Sequence, residues 1–185
     1  MKKLMIAAAV VAMAMVSQAG YYKWGTAMKQ YIYQPDSTTV ASGTAYLFDG
    51  KTYSQDAILQ AFFDTEGTGI DYSKSIADGK AISGTGTLSS STSPTGEYTE
   101  GYVASLYFAV VNGDNIYISE VKDSTAGAAT KSLGVSFSPS ETSAAAAKNY
   151  AGSAAGAGWY TVPEPTSGLL LLLGVAGLAL RRRRA

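Results

Sequence analysis

Residues 102–121 read YVASLYFAVVNGDNIYISEV, and the alternation along them decides the fold class. Successive side chains of an extended chain point to opposite sides. Tyr102, Ala104, Leu106, Phe108 and Val110 therefore share one face, and Val103, Ser105, Tyr107, Ala109 and Val111 take the other. Both faces are largely apolar, which predicts a central strand covered on both sides. Asn112-Gly113-Asp114-Asn115 follows, and Asn-Gly tolerates positive φ. Ile116–Val121 is expected to return as the second arm of a β-hairpin.

Working outward, Thr44–Phe48 reads as an earlier strand that ends on the turn signal Asp49-Gly50. Ser54–Asp64 then changes period. Ala57, Ile58, Ala61 and Phe62 recur at helical spacing, Ser54 is a natural N-cap, and Asp56 lies in the first turn, where an anion suits the helix dipole. Tyr31–Tyr33 and Ile82–Leu88 are weaker strand candidates. Ser83–Gly96, rich in Ser, Thr and Gly, reads as a long exposed loop. Ala144–Gly158 is Ala/Gly-rich. The preceding Ser138-Pro139-Ser140-Glu141 has the form of a capping box with proline at the first helical position. Residues 138–161 are thus either a short surface helix or a flexible spacer. The expected body, residues 20–137, is mostly β: a small antiparallel sheet or sandwich with one short helix packed on it.

Composition excludes several classes of function. The chain has 14 Lys+Arg against 14 Asp+Glu, with no His and no Cys. Lys2, Lys3, Arg181–Arg184 and Glu164 belong to the chain ends, which leaves eight lysines and 13 carboxylates between Gly20 and Val162. That body carries a charge of about −5 and has no arginine, which argues against nucleic acid as a partner and removes the usual bidentate clamp for phosphate. Lack of Cys rules out disulfides. Lack of His removes the commonest general base and metal ligand. The remaining chemical candidates are thin. Ser73-Lys74 is the nearest approach to a Ser-Lys dyad, Glu97, Glu100 and Glu120 are candidate paired carboxylates, and Asn112, Asp114 and Asn115 are candidate calcium ligands. All three sets read more simply as solvated loop, strand rim and hairpin turn. Tyr21, Tyr22, Trp24, Tyr31 and Tyr33 either form a sugar-stacking platform, making the body a carbohydrate-binding module with exposed Tyr and Trp, or pack against the sheet. No catalytic residue, metal site or cofactor is expected, and the body reads as non-enzymatic.

The chain ends read as addresses. Met1-Lys2-Lys3 precedes an apolar run of 13 residues, Leu4–Val16, and then Ser17-Gln18-Ala19. A helix rises about 1.5 Å per residue, so this run is short for a hydrocarbon core of roughly 30 Å. It reads as a secretory signal over residues 1–19, cut between Ala19 and Gly20, rather than as an uncleaved anchor or a core helix. Residues 162–185 have three parts in order. Pro163-Glu164-Pro165 comes first, and its prolines force extended backbone. Then comes Gly168-Leu169-Leu170-Leu171-Leu172-Leu173-Gly174-Val175-Ala176-Gly177-Leu178-Ala179-Leu180, and last Arg181-Arg182-Arg183-Arg184. Thirteen helical residues reach about 20 Å. With extended flanking residues and snorkelling arginines, the segment is expected to cross a membrane as a helix. Four clustered arginines resist translocation and act as a cytoplasmic stop, which leaves the body outside, in agreement with the N-terminal signal.

This order resembles the PEP-CTERM sorting signal of Gram-negative bacteria, a tail sometimes labelled an ice-binding protein C-terminal domain; that label is no sign of ice binding. The resemblance rests on Val162-Pro163-Glu164-Pro165, the apolar run and Arg181–Arg184, about 24 of 185 residues. It implies export by Sec-type machinery, an inner-membrane intermediate, and recognition of Pro163, Glu164 and Pro165 by exosortase, a transpeptidase that cuts near the motif. It also implies a destination at the cell surface or in the extracellular matrix of a biofilm, in association with exopolysaccharide. The bodies of that family are diverse, so the tail implies nothing about this body's fold.

Overall fold

The computed structural model describes residues 21–162 except Ser37, Glu66, Gly69, Ser90, residues 95–97, Thr99, residues 128–131 and Ala155; of Tyr21 and Ser91–Pro94 it describes the backbone alone. Among the described residues, ten strands and two short helices make three layers. A small sheet has the order β4-β1-β8, with β1 Tyr21–Thr26, β4 Ser91–Pro94 and β8 Leu133–Phe137. A seven-stranded sheet runs β3-β2-β5-β6-β10-β9, with β7 also paired to β5. Its members are β2 Thr44–Asp49, β3 Lys80–Ala81, β5 Val103–Asn112, β6 Asn115–Ile118, β7 Lys122–Thr125, β9 Lys148–Asn149 and β10 Gly158–Thr161. Helix α1, Gln55–Asp64, covers the far face of the large sheet, and α2 is the single turn Ser140–Ser143.

Strand β5 sits where its two apolar faces require. Ala104, Leu106, Phe108 and Val110 enter a core between the sheets, with Tyr22 and Trp24 of β1, Ala45 and Leu47 of β2, Phe137 of β8 and Trp159 of β10. Tyr107 and Ala109 enter a second core under α1, with Phe48, Ile58, Leu59, Phe62, Ile116, Ile118 and Tyr160. Burial of apolar surface on both faces makes this strand the centre of the molecule. The hairpin closes between Asn112 and Asn115, leaving Gly113-Asp114 as a two-residue loop. Gly113 has φ 57 and Asp114 keeps negative φ, the pattern of a II′ turn with glycine at its first position.

The returning arm is not one straight strand. Ala109 pairs with Ile118, but Leu106 pairs with Lys122. Three steps on β5 face four on its partner, so one extra residue forms a bulge around Ser119–Val121. Ser119 fills the gap: its Oγ accepts from the Phe108 N–H at 2.9 Å and donates to the Glu120 carbonyl at 2.9 Å. The bulge turns β7 toward the small sheet, where Ser124 Oγ donates to the Gly134 carbonyl at 3.0 Å and accepts from its N–H at 3.1 Å.

Helix α1 forms as its spacing predicts. Ser54 Oγ accepts from the Ala57 N–H at 3.2 Å, and Ile58, Leu59 and Phe62 are buried. Other expectations are corrected. The sheets are mixed, not purely antiparallel, because β1 pairs parallel to β8 and β10 parallel to β9. Tyr31–Tyr33 forms only a single bridge, Tyr33 to Val40. Ile82–Leu88 is a turn rather than a strand: Ser83 N–H donates to the Thr87 carbonyl at 2.9 Å and Gly86 N–H to the Ser83 carbonyl at 2.8 Å. Gly86 has φ 77, and a Cβ there would meet Ile32 O and Val40 Cγ1 at 2.9 Å each. The Ser83–Gly96 segment is not a free loop either, since Leu88 is in the first core and Ser91–Pro94 pairs with β1. The capping box at Ser138–Glu141 does not form. Pro139 occupies the cap with no side-chain bond, and the Ser138 N–H turns instead to the Glu120 carboxylate at 3.3 Å. Finally, the 138–161 stretch is no simple spacer, because Gly158–Thr161 pairs with β6 across the large sheet.

Candidate functional site

The C-terminal end of the described chain is held in the fold. In β10, Trp159 enters the first core and Tyr160 the second. Trp159 Nε1 donates to the Tyr33 carbonyl at 2.7 Å, and Tyr160 Oη to the Gly156 carbonyl at 2.6 Å. One residue further, the Val162 N–H donates to the Asp114 carbonyl in the hairpin loop at 2.9 Å. The sorting residues Pro163, Glu164 and Pro165, the apolar run 168–180 and Arg181–Arg184 lie outside the described residues, as do residues 1–20 with the Ala19–Gly20 junction. No helix among the described residues is long and apolar enough to cross a membrane. At the other end, β1 begins at Tyr21, the residue after Gly20.

The structure places most of the candidate chemical groups apart from one another. Ser73 and Lys74 lie in the 3-10 turn Tyr72–Lys74, where Asp71 caps the turn by accepting from the Ser73 N–H at 3.0 Å and from its hydroxyl. That hydroxyl holds the Asp71 carboxyl below its usual range, so in this structure Ser73 serves as a donor to the Asp71 carboxylate. Glu120 pairs with Lys122 at 3.0 Å, Glu100 sits in an exposed turn, and Glu97 lies outside the described residues. Asn112 and Asn115 are the paired residues that close the hairpin. No group of three His, Cys, Asp or Glu side chains that could hold a metal occurs among the described residues.

Of the five N-terminal aromatics, Tyr22 and Trp24 take the packed alternative, and the side chain of Tyr21 lies outside the described residues. Trp24 is completely buried and Tyr22 nearly so, because both point from β1 into the inter-sheet core. Tyr31 and Tyr33 are half-buried and pack edge to face, with centroids 6.2 Å apart. Lys80 covers Trp24. Its Nζ lies 4.6 Å from the ring centroid and donates to the carbonyls of Trp24 at 2.6 Å and Ser89 at 2.8 Å. Burial lowers the Lys80 ammonium to about 8.

A different aromatic pair is accessible. Tyr46 of β2 and Tyr72 of the 3-10 turn meet with centroids 4.4 Å apart and planes tilted by 40°. With Ser73, Ser75, Asp78 and Gly79 they line a surface cleft of about 340 Å³. Its far wall is tied to β2: the Ile76 N–H and the Ser75 hydroxyl both donate to the Leu47 carbonyl at 2.9 Å. Sequence reading missed this pair because 26 residues separate its members, and nothing local says that the polar stretch 71–79 folds back along β2. The one available signal was an aromatic residue, Tyr72, set among polar neighbours.

Comparison with known proteins adds one finding. A family model described as the PEP-CTERM protein-sorting motif matches residues 161–184, a match to the sorting segment that carries no ice-binding assignment. No curated protein and no solved structure matches the chain.

Proposed function

The chain carries a PEP-CTERM protein-sorting motif at residues 161–184, and from that premise we propose that it is a non-enzymatic protein delivered to the cell surface or extracellular matrix. The motif implies export and handling by an exosortase at the membrane. Residues 1–19 direct Sec-type export and are removed before Gly20. The run Gly168–Leu180 holds the precursor in the inner membrane with Arg181–Arg184 in the cytoplasm. Exosortase then recognises Pro163, Glu164 and Pro165 and detaches the body. A body lacking His, Cys and Arg supports a structural or adhesive role over catalysis.

The carrying observation is the order of the three tail parts, matched as one unit. Mass spectrometry of the mature protein from an exosortase-competent host tests it. The expected C-terminus lies near the motif, and Pro163→Ala with Pro165→Ala blocks the cut. A mature chain that still ends at Ala185 in that host sinks the reading.

A further inference from the structure

We infer that the Tyr46–Tyr72 cleft binds a neutral sugar residue of a glycan chain. This does not rest on the sorting reading, since it concerns a preformed feature of the body and would hold or fail whatever becomes of the tail.

Both sides of the cleft are tied to the sheet. Tyr46 belongs to β2, and the backbone at Gly79 lies against its ring: a Cβ at position 79 would come within 2.7 Å of Tyr46 Cε1. Tyr72 is fixed by the turn that Asp71 caps, and the 75–76 corner is tied to Leu47. Little ordering is therefore left for a ligand to impose.

The ring geometry selects the mode of contact. At 4.4 Å between centroids the two rings already touch, which leaves no gap for a ligand sandwiched between them, and none for an ammonium group in an aromatic cage. Tyr46 is backed by Tyr72 and Gly79, whereas Tyr72 is 42% exposed. The pair offers one supported aromatic surface, suited to stacking on a flat, weakly polar face such as the C–H side of a pyranose ring.

The polar groups select the chemistry. The Asp78 carboxylate is exposed and makes no hydrogen bond or ion pair with the described residues. An ionised carboxylate only accepts, and its two oxygens suit two neighbouring hydroxyl donors. The phenol groups of Tyr46 and Tyr72 add donor-acceptor oxygens at the same rim. No cation lines the cleft, so phosphate, sulfate and uronic acid groups find no partner there and meet Asp78 instead. A polyhydroxylated, uncharged ring fits this set. The cleft lies at the small end of ligand sites, which suits one residue of a chain rather than a long segment.

The test is a glycan array probed with the purified full-length chain in mild detergent, spanning neutral, amino-sugar and uronic-acid oligosaccharides, followed by titration of the best neutral oligosaccharide. Neutral glycans are expected to bind. Tyr72→Ala and Asp78→Asn, both at exposed positions and checked for an unchanged melting temperature, should each weaken binding by about tenfold or more. Three results overturn the inference: no neutral glycan retained, neutral binding unaltered by both variants, or retention of amino or acidic sugars alone. None of these touches the C-terminus of the mature protein, so the sorting reading stands or falls on its own measurement.

Discussion

Trp24 and Trp159 lie in the same core, both without solvent exposure, yet their indole nitrogens differ. Trp159 Nε1 donates to Tyr33 O, whereas Trp24 Nε1 is buried with no partner among the described residues. Replacing either by Phe removes similar volume, but only Trp159→Phe strips a half-buried carbonyl of its donor, and Trp24→Phe removes a donor that has no partner among the described residues. Trp159→Phe should therefore destabilise by about 1–3 kcal/mol more than Trp24→Phe. Urea unfolding of the two variants measures the difference, and equal midpoints would contradict it. Little of this was legible in the sequence. The cluster Tyr21–Trp24 reads equally as an exposed platform or a packed strand, and what decides between them is Phe108, Phe137 and Leu133, brought in from more than 80 residues away. Tyr72 is the converse case. Its exposure depends on how residues 71–79 lie on β2, which no local pattern records.

The elements that sequence alone located are those whose partner lies close in the chain. The β5–β6 hairpin needs only alternation and one turn, and α1 needs only its spacing and Ser54. The bulge at Ser119–Val121 has no such signature: IYISEV alternates through it without a break. Strand β10 was hidden by its Ala/Gly-rich approach, although Trp159 and Tyr160 are the largest side chains in that region. Glycines sort by the same logic. Gly113 and Gly86 both have positive φ, but a Cβ at 113 meets open space whereas one at 86 strikes Ile32 O and Val40 Cγ1. Gly113→Ala pays only for its backbone, about 1 kcal/mol. Gly86→Ala adds overpacking and should cost at least about 1 kcal/mol more. Denaturation midpoints of the two variants, compared at one temperature, check the ordering.

Across the whole molecule, stability rests on two apolar layers. Lys122–Glu120 is the one ion pair among the described residues and is surface-exposed, where such a pair contributes little. Tyrosine gives those layers a sensitivity to alkali. Burial pushes the Tyr98 phenol up to about 12 and raises Tyr107 and Tyr117 further above their ordinary value. In the unfolded chain these groups ionise near pH 10. Their contribution is whole below about pH 10 and drains away as pH rises past it, because only the unfolded state then releases the protons. The melting temperature should fall steeply from pH 10 to 11.5, with tyrosinate absorbance rising together with unfolding. Tyr107→Phe with Tyr117→Phe should flatten that fall, and an unchanged melting temperature across the range would refute it. Alternation predicted a mostly β body, but parallel pairings such as β1 with β8 join residues more than 100 positions apart, beyond the reach of any local reading. A related consequence concerns the order of arrival. A polypeptide emerges N-terminus first, so β10 is the last part of the body to appear. Until it does, β6 keeps a bare edge, an invitation to stray pairing, and each core lacks an aromatic wall. Four residues, Gly158–Thr161, act as the keystone of the nascent arch, and it stays open until the segment carrying the sorting motif has begun to emerge.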